Sequence, residues 1–153
     1  MTGRSACTYA RVVILPVAPD LGLLLVRTDY SDDGAWQAAL SAATAVYATD
    51  DFEHMGARLQ PVESLGLSNL TPVELVGLAR EGYVGQIAVA DAQTMRDQTV
   101  LFVDFNELSE QVARTFRSIP SEVEPIVANL SLANMDFAEF ADNTDPDGIF
   151  RGF

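Results

Sequence analysis

The chain has 153 residues, 48% of them hydrophobic and 20% charged, and carries a net charge of −13. That length fits one domain able to bury roughly 70% of the surface its unfolded form exposes, and the composition is too apolar for a disordered chain. All nine basic residues are arginine, with one histidine and one cysteine, which excludes a Schiff-base or phosphate-loop lysine, a two-histidine metal site and an internal disulfide.

So much negative charge repels nucleic acid and anionic membranes, and it favours a basic protein, a cation or plain solubility. No run of 18 apolar residues is long enough to span a membrane. Arg11–Ala18 is too short and too proline-interrupted for a signal-peptide core, so a cytoplasmic location is expected.

Residues 1–20 read as an N-terminal extension whose apolar run, Val12–Leu15, can add an edge strand, and residues 21–153 read as one globular domain. Leu21–Val26 is nearly continuous in apolar residues, as a strand covered on both faces would be. Ser31 is placed to cap a helix, with Asp32 and Asp33 in its first turn, where the helix dipole favours anions. Trp36, Leu40, Ala43 and Tyr47 then recur at helical spacing and give one apolar stripe. Arg58–Val62 reads as a short strand near a sheet edge because of Pro61. His54 sits beside Asp50, Asp51 and Glu53, which would raise its proton affinity if close in space, although a solvated surface histidine is the plainer reading.

Thr71-Pro72-Val73-Glu74 combines an N-cap, proline at the first helical position and the returning glutamate of a capping box, with Leu70 and Leu75 as a hydrophobic staple. This helix is expected to run to about Glu81 and stop at Gly82. Ile87–Ala90 reads as a strand ending at Asp91, followed by a short helix over Ala92–Arg96. Thr99–Phe105 is a dense, β-branched and aromatic strand with Asp104 near its exit. Ala113–Ile119 reads as a further strand, with Thr115, Arg117 and Ile119 on one face and Phe116 and Ser118 on the other. Glu124-Pro125 opens a helix running to about Ala133.

The C-terminal stretch is dense in signals. Asp136-Phe-Ala-Glu139 has capping-box form, Met135 and Phe140 are spaced as a staple, and Asn143 is expected as a left-handed stop. Asp145-Pro-Asp-Gly148 is a turn by composition, and Ile149-Phe-Arg-Gly-Phe153 is apolar enough to dock onto the body. Asn143, Asp145 and Asp147 also match the front half of a calcium-binding loop, but the position of the bidentate glutamate lies past the last residue, so a plain acidic turn is preferred.

Two segments, LLVRTDYSDDGAW at 24–36 and NLSLANMDFAEFAD with GIFRGF at the C-terminal end, resemble the signatures of an uncharacterised family of small acidic bacterial proteins. Together they span most of the chain from about Leu24 onward. The resemblance implies membership and carries over no catalytic residue.

Strands alternating with helices predict an α/β (or α+β) domain: a mixed sheet of four to six strands covered by about four helices. Pockets in such folds lie beyond the carboxyl ends of parallel strands, which nominates Arg27, Asp29, Asp91, Asp104 and Arg117 as one rim. Carboxylates converging there could hold magnesium, with an arginine gripping an anionic substrate. The competing and preferred reading is a non-catalytic, immunity-like or regulatory protein that binds a basic partner without a cofactor. Tyr30, Asp32 and Asp33 are its candidate contacts, although helix-start stabilisation also accounts for both aspartates. Trp36 is expected in the core because it lies on the apolar stripe.

Overall fold

The computed structural model describes residues 12–47, 56–109 and 111–153. His54 and its acidic neighbours lie outside the described residues. A six-stranded mixed sheet forms the middle layer. Its strands are β2 (Leu23–Arg27), β3 (Leu59–Val62), β5 (Gln86–Ala90), β6 (Val100–Asp104), β7 (Thr115–Ser118) and β8 (Ile149–Phe150), in the spatial order β3-β2-β5-β6-β7-β8. Five of these strands run one way. β6 alone runs against them, antiparallel to both β5 and β7.

Five α-helices are present among the described residues: α1 (Asp33–Thr44), α2 (Pro72–Val76), α3 (Ala92–Asp97), α4 (Val123–Ser131) and α5 (Phe137–Ala141). Strand alternation divides the core in two, as successive side chains point to opposite faces. Leu23, Leu25, Ala88, Ala90 and Phe102 meet Trp36 of α1, Ile126 and Val127 of α4 and Phe137 and Phe140 of α5 on one face. Leu24, Val26, Ile87, Val89 and Val103 meet Leu15, Leu67, Leu75 of α2 and Phe105 on the other. The protein is therefore a single compact α/β domain, as the alternation of elements predicts.

The extension contributes Ile14–Leu15 (β1), which pairs with Ala79–Arg80 (β4) in a separate two-stranded ladder rather than at an edge of the main sheet. That ladder also corrects the expected helix over 72–81. α2 ends at Val76 with Gly77 as its C-cap, because residues 79–80 are taken by β1 and the Glu81 N–H bonds Leu15 O at 2.9 Å. Both halves of the α2 capping box form as expected.

Asp32, not Ser31, caps α1, accepting from Ala35 N at 2.9 Å, while Ser31 turns back to Asp29 Oδ1. Tyr47 falls beyond the end of α1 and is exposed. α4 begins at Val123, so Pro125 occupies its third position, where a backbone N–H would still have no helical acceptor. The left-handed residue after α4 is Ala133 (φ 55°), whereas Asn143, expected as a left-handed stop, is absent from the positive-φ residues. α5 starts after Asp136, whose N–H donates to the returning Glu139 carboxylate at 2.9 Å. The tail docks: Phe150 is buried in β8 and stacks edge-on against Phe140, with ring centroids 5.3 Å apart.

Candidate functional site

The lone reversed strand decides where each predicted rim residue goes. Arg27 ends β2, Asp91 follows β5 and Arg117 lies late in β7, so the three share one end of the sheet. Asp104 ends β6 and pairs with Gln86 at the start of β5, which puts it at the opposite end. The expected convergence of Asp29, Asp91 and Asp104 is not formed. No group of three or more His, Cys, Asp or Glu side chains able to hold a metal ion occurs among the described residues.

At the Arg27 end the polar groups are engaged with one another. The Arg27 side chain is 3% exposed; it donates from Nε to Asp29 O at 2.7 Å and pairs with Asp33 at 2.8 Å and Glu63 at 3.0 Å. Its guanidinium carbon lies 4.4 Å from the Tyr30 ring centre and 5.3 Å from that of Trp36. Burial works against this charge, but the hydrogen bonds it donates to Asp33 and Glu63 outweigh it and hold the guanidinium protonated more firmly than usual. Tyr30 donates to Arg27 O at 3.1 Å and accepts from Ser64 N at 2.7 Å, and burial pushes its phenol up. Asp32 is the α1 cap and Asp33 the exposed partner of Arg27.

Asp91 caps α3 through Thr94 and is clasped at both oxygens by Arg117. Burial pushes the Asp91 carboxyl up, but Arg117 and Thr94 together hold it below the usual carboxylate range. In the C-terminal turn, Asp145 and Asp147 are both held by Arg151, at 2.6 and 2.8 Å. Asn143 Nδ2 donates to Glu139 O. An arginine therefore stands where the partial calcium loop would need a cation.

A hollow opens at the other end of the sheet. It has a volume of about 720 Å³ and is bounded by the loop before β2, the loop before β5, the exit of β6 and the α4–α5 junction. Leu23, Leu130 and Phe137 supply buried apolar walls. Three carboxylates, Asp20, Asp104 and Asp136, line it, and no basic side chain does among the described residues.

Asp104 is 8% exposed and accepts from Asn106 N at 2.9 Å through one oxygen. Burial pushes its carboxyl above the usual range, against the Asn106 hydrogen bond and the charge of Arg114. Arg114 lines an adjoining hollow of about 260 Å³ that also contains Asp104, and its guanidinium is paired with Asp142. Leu130 and Ser131 bring the carbonyl end of α4, the negative end of its dipole, to the cleft wall.

Leu21 (φ 59°) and Ala133 (φ 55°) line the same cleft in a left-handed conformation that costs a side-chain-bearing residue roughly 1–2 kcal/mol. Among these features the sequence singles out Asp104, as an acid at a strand exit. The separated loops at 18–23 and 83–86 carry no motif, and only the fold joins them.

The chain belongs to the family described as a domain of unknown function (DUF6924), whose model matches residues 22–153. This agrees with the resemblance carried by the two signature segments. No curated protein and no solved structure matches the chain.

Proposed function

We propose that this is a non-catalytic, cytoplasmic interaction or regulatory protein, immunity-like in kind, that binds a basic partner protein. The observation that carries the reading is the cleft at the β6 exit, a concave site with three carboxylates and, among the described residues, no basic lining residue. The disposition of the arginines supports it. Arg27, Arg80, Arg114, Arg117 and Arg151, five of the nine, are committed to ion pairs within the fold. A net charge of −13 is of the kind that steers a cationic protein into encounter.

Tyr30, Asp32 and Asp33 are each engaged within the fold, Tyr30 with Arg27 O, Asp32 as the α1 cap and Asp33 with the Arg27 guanidinium. The magnesium-dependent alternative loses its support from geometry: Asp104 stands at the wrong end and Asp91 is already neutralised by Arg117. No helix among the described residues is long and apolar enough to cross a membrane.

The test is capture on the immobilised full chain at low salt, identification of the bound protein, and stopped-flow association of the purified pair at rising ionic strength. A basic partner is expected, with an on-rate falling about tenfold or more as salt screens the encounter. A neutral or acidic partner, or an on-rate indifferent to salt, would overturn the proposal.

A further inference from the structure

We infer that the cleft at the β6 exit seats an arginine side chain presented by the basic partner, its guanidinium at Asp104 and its aliphatic stem against Leu23, Leu130 and Phe137. The inference rests on the partner reading above and gives it an address.

Three independent features select this occupant. Leu23, Leu130 and Phe137 line the cleft together with the nearly buried Asp104 carboxylate, which suits a side chain with a hydrocarbon stem and a charged head. One Asp104 oxygen accepts from the Asn106 N–H, and the neighbouring Arg114 is paired with Asp142, so the Asp104 carboxylate keeps acceptor capacity for a further cation. The carbonyl end of α4 adds negative potential from another direction. Guanidinium is more weakly hydrated than ammonium and loses less on entering a half-enclosed site, which favours arginine over lysine.

The volume of about 720 Å³ exceeds one side chain and leaves room for the flanking backbone. The mouth offers that backbone exposed apolar surface at Leu21 (57% exposed) and Tyr83 (86%), both of which line the cleft. A free amino acid would bring its own carboxylate to a rim already carrying Asp20 and Asp136, so the occupant is a residue within a peptide.

The test is a titration of the isotope-labelled full chain with N-acetyl-arginine-methylamide, read by amide chemical shifts. N-acetyl-citrulline-methylamide, the neutral isostere, serves as control. Saturable shifts confined to residues 19–23, 83–86, 104–109 and 130–138 are expected for the arginine probe, and none for citrulline. Asp104→Asn preserves the acceptor for Asn106 and should weaken binding about tenfold or more, since it removes one charge-assisted pair. Ala138→Arg, at an exposed position on the cleft wall, should abolish binding with the fold intact, and it serves if Asp104→Asn fails to fold.

Shifts equal for both probes, shifts elsewhere on the surface, or affinity unchanged by both substitutions would overturn the assignment. A nonaarginine peptide separates the two levels. If it binds away from the cleft, the arginine seat is wrong while a basic partner stands. If it binds nowhere, both fail.

Discussion

Replacing Arg27 with methionine keeps most of the buried stem and removes the guanidinium, so it isolates what that charge contributes. Its bond to the Asp29 carbonyl, at 2.7 Å from a side chain 3% exposed, is charge-assisted and contributes about 1.5–3 kcal/mol. The Asp33 and Glu63 partners are 87% and 46% exposed, so solvent screens those pairs to about 0.2–1 kcal/mol each. Contact with the Tyr30 and Trp36 rings adds about 0.5–1 kcal/mol. Relief of the guanidinium's burial cost offsets part of this sum, leaving an expected loss of about 2–3 kcal/mol for Arg27→Met. Asp33→Asn and Glu63→Gln should each lose under about 1 kcal/mol. Urea unfolding followed by the fluorescence of Trp36, the only tryptophan, measures all three. If Arg27→Met costs no more than either carboxylate substitution, the guanidinium is not the organiser of this end of the sheet.

Asp104→Asn tests the burial of that carboxyl through its pH dependence. A raised folded-state pKa gives stability that is full below the unfolded value near ~3.9 and is lost as pH rises through the folded value. The variant should therefore be more stable than the parent at pH 7, with the gap closing below about pH 4 in thermal melts; a gap of the same size at all pH values would contradict the assignment. Phe150→Ala, at a buried ring packed on Phe140, should cost about 3–5 kcal/mol, whereas Phe153→Ala, at a ring 79% exposed, should cost under about 1.5 kcal/mol in the same urea assay. Ala133→Gly relieves a left-handed alanine after α4 and should stabilise by up to about 1 kcal/mol, whereas a destabilisation would mean that this position is not strained.

Local chemistry made most of the fold legible. The dense strands at 23–27 and 100–104 bury nearly every side chain, and Thr71 and Asp136 start helices where their capping boxes predict. Helix ends were harder to read, because they depend on partners far along the chain: nothing near residue 79 reveals that Leu15 will claim the backbone there. The candidate rim turned on strand direction. Asp104 follows an apolar strand just as Arg27 and Asp91 do, and no local pattern distinguishes a strand that runs against its neighbours. One reversal carried Asp104 from a predicted metal site to the lining of an acidic cleft. Trp36 went to the core, as its helical spacing predicts.

The most direct test of the account is a chemical-shift map of the full chain titrated with nonaarginine at near-physiological salt. The cleft loops around Asp20, Tyr83, Asp104 and Asp136 should move together and saturate, while Arg27, Tyr30 and Asp33 stay in place. Displacements spread evenly over the acidic surface, or centred on Asp32 and Asp33, would contradict it.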